Sequence, residues 1–89
     1  MMIRHVVMWK LKEGTDAQTI KKELEGLNGK IPGLRSLDVG IEEDGAVLIS
    51  DHDSWEALEA YAKHPLHVAV ADTYVRPYIV SRQAVNYEK

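Results

Sequence analysis

The chain contains no cysteine. That absence removes disulfide staples, thiolate nucleophiles and cysteine-based zinc sites together, and it fits the reducing cytoplasm, where we expect the protein to reside. Long apolar runs are missing as well: nothing approaches the roughly 18 consecutive apolar residues of a membrane span, so no membrane partner is expected. The opening MMIRHVVMWKLKEG lacks the continuous apolar core and small-residue cleavage site of a secretion signal, and it reads as mature structure. Clusters of one charge are absent too. Eleven Lys and Arg are scattered among fourteen acids for a net charge of −3, so the electrostatic footprint of a nucleic-acid binder is not there. Four histidines, His52 among acids, with Asp51 and Asp53 could coordinate Zn²⁺ or Ni²⁺, but His-x-x-x-His and His-Glu-x-x-His spacings are missing, and no metal or other cofactor is expected.

What is present is a soluble-type composition, 45 % hydrophobic and 28 % charged, on 89 residues that we read as a single domain, 1–89. A chain of this size buries only about 60 to 65 % of its surface on folding, which favours oligomerisation. Ile3, His5, Val7, Trp9 and Leu11 alternate with Arg4, Val6, Met8 and Lys10, predicting a first strand whose middle, HVVMW, is apolar on both sides. Thr15 with Gln18 forms a capping box for a first helix that carries Ala17, Ile20, Leu24 and Leu27 inward and stops at Gly29. Leu37, Val39 and Ile41 mark a second strand, Asp44-Gly45 a tight hairpin with positive φ, and AVLIS a third strand buried on both sides. A second helix, capped by Asp53 or Ser54, turns Trp55, Leu58, Tyr61 and Ala62 inward and ends at His64, because the residue before Pro65 is pushed out of the α region. Pro65 then suits the first position of a short helix with Leu66, Val70, Thr73 and Tyr74 on one face and His67, Ala71 and Tyr74 on the adjacent stripe. RPY should stop it, and YIVSRQAVNYE should form the last strand.

The order β-α-β-β-α-β is the ferredoxin-like, split-βαβ arrangement of the α+β class, a four-stranded antiparallel sheet with helices on one face. Its other face is left open. An apolar sheet surface on a 10 kDa chain is an aggregation hazard, so it should meet a second copy of itself, giving a homodimer in which two sheets close a barrel.

Three stretches, IRHVVMWKLKEGT, IPGLRSLDVG and YAKHPLHVAVADTYVRPYIV, together resemble the Dabb family, the stress-responsive α/β-barrel proteins, over nearly the whole chain. The most specific parts are His5 after an apolar residue and a base, Pro32-Gly33 before the second strand, and the Tyr-x-x-His-Pro-x-His-Val run that starts at Tyr61. The resemblance implies a homodimeric α+β barrel without a bound cofactor. One plant branch is similar to a polyketide cyclase that closes a poly-β-keto chain by an aldol step. Its reacting residues match His67 and Tyr61, a cavity-lining histidine of its first strand matches His5, and a further cavity histidine aligns with Ala46.

His67 could serve as a general base, since a neutral imidazole removes an acidic proton flanked by two carbonyls, while Tyr61 holds the enolate oxygen. The plainer alternative is that both only satisfy core hydrogen bonds. His5 shares its strand side with Val7 and Trp9, where desolvation should keep it neutral; with Val7, Trp9 and Tyr74 it would line a ligand cavity, or it is a satisfied core histidine. His64 is expected as an N-cap or a surface residue. Two functions from different classes follow. One is a cavity that binds a small, partly apolar carbonyl or phenolic compound, with cofactor-independent enolisation or cyclase-like chemistry. The other is a stress or assembly protein with structural histidines, which predicts an interior packed solid. A monooxygenase-like use of the same barrel finds little support, because no haem ligand stands out.

Overall fold

A computed structural model describes residues 1–89. The strands are β1 (Ile3–Leu11), β2 (Leu34–Glu42), β3 (Gly45–His52) and β4 (Ile79–Glu88), in one antiparallel sheet of order β2-β3-β1-β4. The helices α1 (Ala17–Glu25), α2 (Trp55–Lys63) and α3 (Pro65–Val70) follow in chain order, and α3 runs on through a π-helical turn at Ala71–Val75 and a 3-10 turn at Arg76–Tyr78. This is the ferredoxin-like βαββαβ arrangement read from the sequence. None of the helices is long and apolar enough to cross a membrane.

Alternation along each strand decides which side chains meet the helices. On the inner face β1 contributes Ile3, Val7 and Trp9, β2 contributes Leu37 and Val39, and β3 contributes Ala46 and Leu48. Ile20, Leu24 and Leu27 from the first helical arm and Leu58 and Tyr61 from α2 close over them. Each such aliphatic side chain contributes roughly 1.5 to 3 kcal/mol on leaving water, so this layer carries most of the fold's stability.

Several local details differ from the sequence expectation, each for a physical reason. Asp16, not Thr15, caps α1: its carboxylate accepts from the Gln18 and Thr19 amides and the Thr19 hydroxyl, while Thr15 Oγ1 donates to the Lys12 carbonyl. A charged acceptor at a helix N-terminus outcompetes a neutral hydroxyl one residue earlier. The α-helical run ends at Glu25 rather than Gly29, because Gly26 is a weak helix former and the Asn28 amide ties the next turn to β2 through the Glu25 and Leu37 carbonyls. Gly29 has positive φ, but in the turn that follows. The β2–β3 hairpin forms around Glu43 and Asp44, with positive φ at neither Asp44 nor Gly45. Gly45 is required for another reason: a Cβ there would stand 2.0 Å from the Trp9 carbonyl oxygen.

Burial on the helical side also departs from expectation. Trp55 and Ala62 on α2 face solvent while Leu58 and Tyr61 are buried, and beyond α3 it is Ala71 and Val75, not Leu66, Thr73 and Tyr74, that reach the core. The wide π turn at 71–75 changes the angular step per residue and so shifts the buried stripe. AVLIS is buried on the inner side only. On the outer side Val6 lies between Ile49 and Val85, and Met8 lies beside Val47; Met8, Ile49, Val85 and Tyr87 are exposed there.

Candidate functional site

The inner face of the sheet carries a polar group near one end of the core. Strand register sets His5 of β1 between Ser50 of β3 and Asn86 of β4, with His52 two residues beyond Ser50 on the same side. Tyr61 descends from α2 onto this group. His67 follows from the first turns of α3, because Pro65 restarts the helix after an extended His64, whose Nδ1 accepts from the Leu66 amide as the N-cap. The four rings stack into one cluster: Tyr61 lies 4.3 Å from His67 and 4.8 Å from His52 between ring centroids, and His5 lies 6.4 Å from Tyr61 and 6.2 Å from His52.

Hydrogen bonds assign the ring nitrogens. His67 Nδ1–H donates to the Ala62 carbonyl at 3.1 Å, and since a carbonyl only accepts, the neutral ring keeps its lone pair on Nε2. His5 Nδ1–H donates in the same way to Asn86 Oδ1, leaving its Nε2 free. Burial pushes both imidazoles below the ordinary histidine value, and the Arg82 charge lowers each further. Both are therefore neutral bases near pH 7. Tyr61 is 2 % exposed, its hydroxyl bonds to no protein group, and burial drives its acidity down, so it remains a protonated donor.

Beside this cluster is a cavity of about 330 Å³, walled by His5, Val7, Trp9, Leu24, Leu48, Tyr61, His67, Ala71, Val75 and Ile79 and edged by Arg76 and Arg82. A second hollow of about 460 Å³ adjoins it and shares His5, Tyr61, His67 and Arg82. The structure thus brings together His5, Val7, Trp9, Tyr61 and His67. Tyr74 is the exception: it lines a separate polar depression with Lys12, Thr15 and Thr19, because the π turn places Ala71 and Val75 over the cavity instead. Two imidazoles and a phenol on a largely apolar wall can accept a proton and donate one hydrogen bond, the requirements of acid/base chemistry at a carbonyl.

His52, considered above as a metal ligand in an acidic loop, sits instead on the last position of β3 with no exposed surface. Its Nε2 shares a 2.8 Å hydrogen bond with Ser50 Oγ, its Nδ1 has no partner, and burial first, then the nearby His5, lowers its pKa to about 4. Asp51 faces the opposite side of the sheet and is bound by Arg4 and Lys89; Asp53 pairs with Arg35. No three His, Asp or Glu side chains converge where they could hold a metal ion. Sequence reasoning missed Arg82 and the depth of His52. The available signal was phase: Arg82, Ala84 and Asn86 alternate with the outward Val85 and Tyr87, and Ser50 and His52 continue the inward series of Ala46 and Leu48.

With the architecture and the cluster in place, comparison with known proteins is decisive for the family. The sequence pattern of the Dabb family, the stress responsive A/B barrel domain, matches residues 3–89. The chain belongs to the Dabb family. Among solved structures, a dimeric protein of unknown function with a ferredoxin-like fold from Bacteroides fragilis superposes with a TM-score of 0.85 at 29 % identity, covering 99 % of this chain and 96 % of the other. A dimeric ferredoxin-like protein of unknown function from Thermobifida fusca gives a TM-score of 0.87 at 22 % identity, covering 100 % and 92 %. A Dabb family protein with a ferredoxin-like fold from Mesorhizobium loti gives 0.81 at 20 % identity, covering 99 % and 96 %. Among proteins with curated functional descriptions, none matches the chain.

Proposed function

We propose that this Dabb protein is a homodimer that binds a small, partly apolar carbonyl or phenolic compound beside His5, Tyr61 and His67, and that it catalyses proton transfer at carbon without a cofactor. The observation that carries this reading is an unbonded Tyr61 hydroxyl next to a His67 ring with a free Nε2, both on the wall of a cavity of about 330 Å³. Dimerisation is supported by the exposed apolar outer face of β1, β3 and β4 and by the dimeric proteins from B. fragilis and T. fusca.

In the proposed step a bound 1,3-dicarbonyl places its acidic C–H against His67 Nε2. The nitrogen takes the proton, the C–H electron pair moves into the carbon–oxygen system, and the enolate oxygen accepts a hydrogen bond from Tyr61. When the substrate carries a further carbonyl, the enolate carbon attacks it to form the new C–C bond, and the imidazolium returns its proton to the resulting alkoxide. His5, neutral and anchored on Asn86, offers its Nε2 as an acceptor for a substrate hydroxyl. The opposing assembly-only reading requires a solid interior, and the hollow beside the cluster counts against it.

Deuterium incorporation into acetylacetone in D₂O, followed by NMR, tests the proposal. The enzyme reading expects exchange above the buffer rate, reduced by roughly 10² to 10⁴-fold in His67→Ala and less in Tyr61→Phe. A folded His67→Ala protein that retains full exchange would overturn the catalytic role.

A further inference from the structure

The chain has four arginines, and three of them are neutralised: Arg4 by Asp51, Arg35 by Asp53 and Arg76 by Asp72. Arg82 forms no ion pair. Its position on β4 opposite Trp9 puts it on the inner face of the sheet, where it borders both hollows that share His5, Tyr61 and His67. Glu59, the acid that lines the second hollow, is paired with Lys63 at 2.9 Å; Glu42 and Asp44 border a separate depression that also touches Arg82, but neither forms an ion pair with it. In a chain with fourteen acids and a net charge of −3, an unpaired guanidinium at the edge of a largely apolar cavity leaves a specific charge uncompensated. Its field is felt inside, since it makes both His5 and His67 harder to protonate.

We propose that the cavity selects a carboxylate that carries a second carbonyl group, a 3-oxo acid anion, with Arg82 holding the carboxylate while His67 and Tyr61 address the acidic carbon and the carbonyl oxygen. The proposal rests on the binding reading given above and narrows it to one charge class. A guanidinium matches a carboxylate with two parallel N–H···O bonds, which fixes orientation as well as presence. It also answers a chemical need. Removing the C–H proton of a 3-oxo acid anion produces a dianion: Arg82 offsets the carboxylate charge, Tyr61 donates to the enolate oxygen where the second charge develops, and the imidazolium formed at His67 supplies the other counter-charge.

The test compares acetoacetate with acetylacetone, which replaces the carboxylate by a methyl ketone of the same size and is neutral near pH 7. Both are titrated into uniformly ¹⁵N-labelled protein at low salt, with the long-range ¹H–¹⁵N signals of His5 and His67 as the readout, in wild type, Arg82→Gln and Arg82→Lys. Wild type should bind acetoacetate at least about tenfold more tightly than acetylacetone, the factor that one charge-assisted hydrogen bond supplies. Arg82→Gln should lose that preference, with acetoacetate bound no more tightly than acetylacetone, and Arg82→Lys should keep part of it. Equal affinity for the two probes in wild type, or an undiminished preference in Arg82→Gln, overturns the charge selection while leaving the cavity reading intact. If neither probe moves either imidazole, the binding reading itself falls and this proposal falls with it.

Discussion

Acid should weaken this protein well before its carboxylates titrate, and His52 should be the main reason. The ring has no exposed surface, one nitrogen is tied to Ser50 and the other has no partner, so a proton added to it gains no water, and the attraction of Asp51 and Asp53 does not offset the burial. Its pKa is held near 4 in the folded chain against 6.5 when solvated. Between those values the unfolded chain binds a proton that the folded chain refuses, so stability rises with pH through this window and is lost as pH falls. Taking the protein from about pH 7.5 to about pH 5 should therefore cost roughly 2 kcal/mol from this residue. Urea unfolding at both pH values, followed by circular dichroism, measures the loss. The paired control is Ser50→Ala with His52→Leu, which removes the titrating ring without leaving the buried Ser50 hydroxyl unbonded. His5 and His67 remain in both proteins, so the difference between the two acid losses isolates His52. Equal losses in wild type and double variant would refute the reasoning.

Three further outcomes follow from the same structure. Asp51, bound first by Arg4 and then by Lys89, has its pKa lowered to about 2, so its stabilisation is present above about 3.8 and is lost as pH falls through about 2; Asp51→Asn should cost about 2 kcal/mol at neutral pH by urea unfolding and remove that late acid phase. Calorimetric melting temperatures should fall in the order Gly29→Ala, Gly33→Ala, Gly45→Ala. Gly29 has only its positive φ to lose, Gly33 adds an Ala57 Cβ at 2.7 Å, and Gly45 would drive a Cβ into the Trp9 backbone and open the β1–β3 ladder, at more than about 3 kcal/mol. Asp16→Ala should cost about 1 kcal/mol and Thr15→Ala much less, which separates the observed cap of α1 from the capping box that the sequence suggests.

Periodicity carried most of the architecture because the signals were local and mutually consistent. The alternation in β1, the 3.6-residue spacing of Ile20, Leu24 and Leu27, and the break at His64-Pro65 each fixed an element without knowledge of the others. What failed was whatever depended on a change of helical pitch or on which of two adjacent polar residues wins a bond. Thr15 and Asp16 are both good caps, and only the carboxylate's reach to two amides decides between them. Counting 3.6 residues per turn from His67 brings Tyr74 toward the cavity, and the π turn makes that count wrong.

His52 shows the limit most clearly. Its neighbours in SDHDS are acids, and a local reading makes it a conceivable metal ligand; the structure extends β3 to include it, and one strand register turns Asp51 outward to Arg4 and His52 inward to Tyr61. Two residues adjacent in sequence thus end in opposite electrostatic worlds, one an anion held in an ion pair and the other an imidazole kept neutral by burial. The same alternation puts Arg82 inside and Val85 outside on β4. Strand parity thus separates these groups: Asp51, with Arg4, lies on the outer face, and the imidazoles of His5 and His52 lie with the unpaired Arg82 on the inner. That sorting leaves the groups of the proposed acid/base site and the free guanidinium together at one end of the face that otherwise forms the core.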